Sequence, residues 1–180
     1  MLVSLVCLIQ VDMKSLVAYS SVVHMNLMLC SLMTLFNMGY LSSYIMMISH
    51  GLCSSGLFYM VNIYYSRSMS RLLILNKGLM SKLSILMLWW FFFCSANFSF
   101  PFSMNFISEI MMMMVIVNWD KFLMSYLMLI CFMSSVYSLY LFSYVCHGSC
   151  SYEESIYYTG MVKEFLVLIM HFKSEFIMQV

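Results

Sequence analysis

The sequence predicts an all-α fold, a polytopic transmembrane helical bundle of about six helices with one broken helix near Pro101. Of the 180 residues, 64% are hydrophobic and only 8% are charged, whereas a water-soluble domain carries about 25% charged residues. The charges are clustered, and none lies between Lys14 and Arg67. The apolar runs are continuous rather than alternating, which excludes membrane-spanning β-strands. A soluble enzyme, a nucleic-acid-binding protein and a disordered chain are therefore excluded.

The helices are predicted from apolar windows, since crossing the hydrocarbon core takes roughly 20 consecutive apolar residues. After a short apolar stretch at the N-terminus, the predicted spans are residues 15–36, 40–65, 83–100, 102–119 and 122–146. The last segment, 156–178, contains Lys163, Glu164, Lys173 and Glu175. We therefore expect it to cross the membrane only in part or to lie along the interface. All of these segments belong to one predicted membrane domain, 1–180.

The broken helix is predicted from Pro101, the only proline in the chain. Proline lacks a backbone N–H and clashes with the carbonyl four residues earlier, so we expect helix to be interrupted or to begin anew between Ser99 and Asn105. Ser99 and Ser103 can bond the freed backbone groups. Asn105 precedes Glu109 by one turn and can hydrogen-bond its carboxylate or a bridging water.

The tryptophans lie near the ends of predicted spans. Amphipathic rings favour the headgroup region of a membrane, which is one interpretation of Trp89, Trp90 and Trp119. For Trp89 and Trp90, packing as lipid-facing side chains is an equally open interpretation.

The cysteines predict neither a disulfide framework nor a metal site. Seven are present, without a CxxC pair, and most fall inside apolar runs, where thiols behave as small hydrophobic groups. Cys146 and Cys150 flank His147, but three such residues without a fourth partner are more often a coincidence of a loop than a zinc site.

Three ionisable residues fall near the middle of predicted spans, namely His24, His50 and Glu109. An ionisable side chain costs at least ~2.5 kcal/mol at the bilayer centre, so each is a candidate for proton transfer. We expect the three to line one connected interior. Ser20 lies one turn before His24, and Ser43 and Ser54 share a helix face with His50. The other interpretation of these residues is structural, because either histidine alone, or the carboxylate, can simply hydrogen-bond between helices.

Lys14 follows Asp12 by two residues at the start of a predicted span. From spacing alone, the two form a solvated pair, or Lys14 extends its ammonium to the interface.

Three ordered motifs resemble a known family. Residues 12–25, DMKSLVAYSSVVHM, are similar to D-L-K-x-L-x-A-Y-S-S-x-x-H-M; residues 47–58, MISHGLCSSGLF, to M-I-A-H-G-x-x-S-S-x-L-F; and residues 76–79 to N-K-G-L. These are motifs of the antiporter-like, proton-translocating subunits of respiratory complex I, NADH:ubiquinone oxidoreductase. Within that family, the segment from Pro101 to Glu109 resembles the P-P-x-x-N-x-x-G-E context of the chain 4 group. Here Phe102 replaces the second proline, Ser108 the glycine, and Lys173 and Glu175 replace apolar positions of the last helix.

The resemblance implies the C-terminal part of a longer subunit, so the chain is expected to be a fragment. It implies that Lys14, His24 and His50 continue a hydrophilic axis and that Glu109 gates proton transfer to the intermembrane space. No cofactor is expected in this chain, since NADH and ubiquinone act at other subunits of the enzyme. The implied partners are other membrane-arm subunits, with chains 2 and 5 as neighbours, and membrane lipid, without nucleic acid. The implied location is the mitochondrial inner membrane, crossed several times.

Two other functions remain open at the level of sequence. The first is a structural scaffold of the membrane arm, in which the polar residues only pack helices together. The second is a cation/proton antiporter that works alone.

Overall fold

The computed structural model describes residues 1–78, 84–148 and 161–177. Helices dominate these ranges, and the only β-type pairing within them is an isolated bridge between Asp12 and Leu72. The all-α prediction is therefore confirmed. The helices are α1 (Leu2–Ile9), α2 (Met13–Met33), α3 (Asn37–Ser68), α4 (Ser84–Asn97), α5 (Met104–Trp119), α6 (Leu123–Cys146) and α7 (Val162–Ile177).

Three helices of the described ranges are long and apolar enough to cross a membrane. They are α2, α3 and α6, with 21, 32 and 24 residues, and they correspond to the predicted spans 15–36, 40–65 and 122–146. The predicted spans 83–100 and 102–119 are wrong in extent, because they form α4 and α5 of only 14 and 16 residues. The turns around Pro101 take up the residues between them. The partial crossing predicted for the last segment stays a prediction; there, α7 has 16 residues.

The longest helix, α3, lies at the centre and contacts α2, α4, α5 and α7. Two glycines permit its closest approaches. A Cβ added at Gly39 would lie 2.6 Å from the backbone oxygen of Ser31 in α2, and one at Gly56 would lie 2.4 Å from the ring of Phe93 in α4. At Gly39 the backbones of α2 and α3 therefore lie in direct contact, whereas at Gly56 the Phe93 ring of α4 packs on the α3 backbone.

The helix break falls where Pro101 predicts it. Helix α4 ends at Asn97, and α5 begins at Met104. The Ser103 hydroxyl accepts a hydrogen bond from the backbone N–H of Phe106 at 3.3 Å, which satisfies one of the free donors at the start of α5. This serine therefore does what its position near the proline suggests.

Asn105 has a different role from the one its spacing suggests. Its side-chain amide donates to the backbone oxygen of Ala96 at 3.0 Å and so fastens α5 to the end of α4 across the break, rather than bonding Glu109. The backbone at Phe102 has a φ of +77°. Proline cannot adopt that conformation because its ring locks φ near −65°. The replacement of the family's second proline by Phe102 thus changes the path of the chain.

Both interpretations of Trp90, as a headgroup-region or a lipid-facing side chain, are wrong. Its ring is fully buried and lies edge-on to Tyr64, with 5.2 Å between centroids, because this face of α4 is turned toward α3. It therefore faces neither lipid nor headgroups. Trp89 is half-buried and packs against Phe172 of α7 at 5.7 Å, whereas Trp119 at the end of α5 is exposed.

The start of α2 is held by the loop that follows α3. The backbone N–H of Leu73 donates to the Val11 oxygen at 2.9 Å. Asn76, fully buried, donates to the Leu72 oxygen at 3.0 Å from its side chain. The asparagine of the N-K-G motif therefore shapes the loop that sets the position of α2.

The last helix, α7, lies against α3. Arg67, near the end of α3, forms an ion pair with Glu164 in the first turn of α7. Farther along, the Ser55 hydroxyl lies 3.3 Å from the His171 ring nitrogen Nδ1. These two contacts hold α7 against α3 from Glu164 to His171.

Candidate functional site

The three mid-span ionisable residues come from three different helices and meet inside the bundle. His24 is in α2, His50 in α3 and Glu109 in α5. Their exposed fractions are 1%, 2% and 7%. The expectation that they face one interior is therefore confirmed, and lipid exposure is excluded for each.

His24 is the central member of this cluster. Its Nδ1 lies 3.0 Å from Oε1 of Glu109, and its ring centroid lies 5.1 Å from that of His50, with the ring planes inclined at 41°. Nδ1 and Oε1 lie at ion-pair distance, but their geometry is not that of a hydrogen bond. Neither atom has a hydrogen-bond partner among the described residues. The two groups are thus within reach of proton transfer after a small rotation of the ring.

The 3.0 Å contact places the two groups close enough to exchange a single proton. A charged carboxylate or imidazolium taken out of water costs several kcal/mol alone, and an opposite charge at contact distance offsets much of that cost. Glu109 and His24 can therefore be ionised together or neutral together. Moving the proton from one to the other interconverts these two states without bringing in net charge.

The cluster has free positions for further transfer. Nε2 of His24 and Nε2 of His50 are buried and have no hydrogen-bond partner among the described residues. An imidazole takes up a proton on one nitrogen and releases one from the other. Both histidines can therefore relay a proton rather than only hold it.

The serines predicted to extend the polar face are less directly involved. Ser20 in α2 and Ser43 in α3 are buried. Their hydroxyls donate within the same helix, to the backbone oxygens of Val17 and Tyr40, at 2.8 Å each. Ser54 is half-buried and donates to Gly51 in the same way. Their protons are therefore already committed within α2 and α3.

Lys14 is not part of the cluster. It is exposed at the start of α2, ten residues before His24 and hence about 15 Å away along the helix. With Arg71 and Tyr65 it lines an open cavity of about 360 Å³. The structure thus brings together three of the four predicted site residues and leaves Lys14 apart.

Sequence reasoning missed two buried polar groups. The Tyr137 hydroxyl in α6 is buried, has no hydrogen-bond partner among the described residues and interacts electrostatically with Glu109. Glu175 in α7 is 1% exposed, although its segment was expected to cross the membrane only in part or to lie along the interface. A tyrosine in an apolar run gives no polar signal, and the charges near Glu175 suggested an interfacial segment.

The Cys146, His147 and Cys150 group can be followed only in part. Cys146 is the buried last residue of α6 and His147 is exposed. Cys150 lies outside the described residues.

Comparison with known proteins adds the family. Residues 1–138 match the family described as NADH:quinone oxidoreductase/Mrp antiporter, transmembrane. The chain is 45% identical over 171 residues to NADH-ubiquinone oxidoreductase chain 4 of Apis mellifera ligustica, covering 95% of this chain and 38% of that protein. It is 46% identical over 170 residues to the protein of that name from Anopheles arabiensis, covering 94% of this chain and 77% of that one.

A solved structure shares the fold. A chain of respiratory complex I from Thermus thermophilus with bound NADH superposes with a TM-score of 0.88 at 18% identity, over 98% of this chain and 37% of that one. The chain therefore spans well under half the length of several of its relatives. With this fold and this family match, the chain is a multi-pass membrane protein and belongs to the NADH:quinone oxidoreductase/Mrp antiporter transmembrane family.

Proposed function

We propose that this chain is the C-terminal part of a chain 4 subunit in the membrane arm of NADH:ubiquinone oxidoreductase, in the mitochondrial inner membrane. In this role it carries part of a proton path that is driven by electron transfer from NADH to ubiquinone. The similarity to chain 4 of two insects over nearly the whole chain supports the assignment. Its neighbours in the arm would be the other antiporter-like subunits, chains 2 and 5.

The observation that carries the proposal is the 3.0 Å contact between His24 and Glu109 inside the bundle. A proton that reaches His50 passes to His24 and then to Glu109, and the carboxyl releases it toward the far side of the membrane. Each step joins groups that are buried together, so the proton need not enter lipid. The path uses a base, a relay and an acid from three separate helices.

Lys14 has a supply role in this proposal. Its exposed position beside Arg71 and Tyr65 places an ammonium group at one end of α2, about 15 Å along the helix from His24, at the end from which protons would enter. NADH oxidation and ubiquinone reduction belong to other subunits, and this chain contributes proton movement without a cofactor of its own.

The test is replacement of Glu109 in the assembled enzyme. Glu109→Gln keeps the shape of the side chain and removes the titratable proton, while Glu109→Asp keeps the proton on a shorter side chain. We expect normal assembly in both variants, a clearly lower proton-per-electron ratio in the Gln variant, and partial retention in the Asp variant. The ratio is measured from ubiquinone-linked proton uptake in sealed membrane vesicles.

Asp120→Asn is the matched control, because Asp120 is an exposed carboxylate that caps the turn before α6 through the Phe122 N–H. It should pump normally. A normal ratio in Glu109→Gln would contradict the proposal. Loss of assembly in both Glu109 variants would favour the structural scaffold instead, since the carboxyl would then hold the helices together.

A further inference from the structure

Glu175 is a second buried carboxyl group of this chain. Only 1% of the residue is exposed, and neither Oε1 nor Oε2 has a hydrogen-bond partner among the described residues. By contrast, Glu164 on the same helix is ion-paired with Arg67. Glu175 is thus buried without the partner that a charged carboxylate needs.

Glu175 lines a cavity of about 150 Å³ between α3, α5 and α7. The lining of this cavity is largely apolar, and apolar surroundings favour a neutral carboxylic acid over a carboxylate. The cavity extends to the exposed side chain of Tyr44 at its rim. Its lining is Tyr44, Ile45, Ile48, Ser49, Leu52, Met104, Ser174 and Glu175.

This cavity is separate from the cluster of His24, His50 and Glu109. On α3, its lining residues Ile45, Ile48, Ser49 and Leu52 form one helix face. At 100° per residue, His50 lies roughly 150° around the axis from the centre of that face. The two carboxyl groups therefore lie on opposite sides of α3.

No cation within the described residues balances Glu175. From α3, the titratable group nearby is Cys53, which interacts electrostatically with Glu175, and α5 contributes Met104, which does not titrate. On α7 itself, His171 lies at hydrogen-bonding distance from Ser55, and Lys173 is exposed. An ionised Glu175 would thus be an isolated charge in an apolar site.

A bound proton removes that cost. The neutral acid needs only one acceptor for its O–H, and the residues around the cavity include Ser49 and Ser174. Both hydroxyl hydrogens already point to backbone oxygens of their own helices, at 3.3 Å for Ser49 and 2.7 Å for Ser174, which leaves their lone pairs available.

We propose that Glu175 and this cavity form a second proton-exchange site of the chain, across α3 from the His24 cluster and open to the exterior at Tyr44. The Glu175 carboxyl group carries a proton at rest and releases it through the cavity. The site does not depend on the proposed pumping function of Glu109.

The test is labelling of the intact complex in its native membrane with dicyclohexylcarbodiimide over a pH series. The reagent adds a protonated carboxyl O–H across one C=N bond, and the O-acylisourea rearranges to a stable N-acylurea, so no atom leaves. Mass spectrometry then locates the added mass on the α7 peptide. We expect Glu175 to be labelled, with labelling falling about tenfold for each pH unit above its titration midpoint.

Glu164 on the same helix is the internal control, because its carboxylate is paired with Arg67, and it should not show the pH-dependent label expected at Glu175. Glu175→Gln should lose the label on this peptide. Absence of labelling at Glu175 at all pH values, or labelling that does not change with pH, would overturn the proposal. So would an undiminished label on the Glu175→Gln peptide. Labelling of the wild-type complex does not require enzyme turnover. Its result is therefore independent of whether Glu109→Gln pumps normally.

Discussion

At the scale of single residues, His24 is the member of the cluster that contacts both of the others. It lies 3.0 Å from Glu109 and its ring is 5.1 Å from that of His50. The sequence could predict these residues, because an ionisable group in a long apolar run needs a buried partner. It could not predict the burial of Glu175, since neighbouring charges on α7 gave that segment the pattern of a partly crossing or interfacial helix.

Replacement of His24 tests its role as the relay. In His24→Gln, an amide of similar size keeps a hydrogen-bonding group beside Glu109 but cannot carry a proton. We expect proton-coupled turnover to fall at least tenfold. The loss of an acid–base group typically costs about 10²–10⁴ in rate. The measurement is proton uptake by vesicles that contain the assembled complex.

His147→Gln is the matched control for this variant, because His147 is an exposed histidine at the end of α6. It should leave proton uptake unchanged. Equal uptake in wild type and His24→Gln would show that the proton does not pass through this imidazole.

At the scale of elements, the sequence predicted where helix breaks but not how the break is joined. Pro101 fixes the interruption because it cannot continue a helix. The hydrogen bond from Asn105 to Ala96 could not be foreseen, since it joins residues across a turn whose shape depends on Phe102. That bond and the Ser103 cap set the start of α5, and with it the position of Glu109 five residues later.

Close packing of α3 against α4 gives a prediction at this scale. Gly56→Ala would place a methyl group 2.4 Å from the Phe93 ring, and such overpacking typically costs about 1–3 kcal/mol. We expect a lower melting temperature of the assembled complex or of its membrane arm. The measurement is thermal unfolding of the purified complex in detergent.

Gly51→Ala is the matched control, because nothing lies within 4 Å of a Cβ at Gly51 on the same helix. It should be neutral or slightly stabilising, since alanine favours helix over glycine. Equal melting temperatures for the two variants would mean that α3 and α4 do not approach as closely as Gly56 suggests.

At the scale of the whole molecule, much of the surface is built to be covered. In the apolar windows of α2, α3 and α6, only 39%, 44% and 33% of residues are buried, so a large apolar surface is left for contact with lipid or other protein. The composition predicted this membrane bundle correctly. Composition could not predict the lengths of α4 and α5, because the residues of an apolar turn have the same hydropathy as those of an apolar helix.

The central claim is that Glu109 accepts and releases a proton while the complete enzyme works. Infrared difference spectroscopy on membranes that contain the complex tests it most directly, by following the carbonyl stretch of protonated carboxyl groups as ubiquinone is reduced. We predict a change in that band during turnover that is absent in Glu109→Gln and shifted in Glu109→Asp. A band change that persists unaltered in the fully assembled Glu109→Gln complex would contradict the claim.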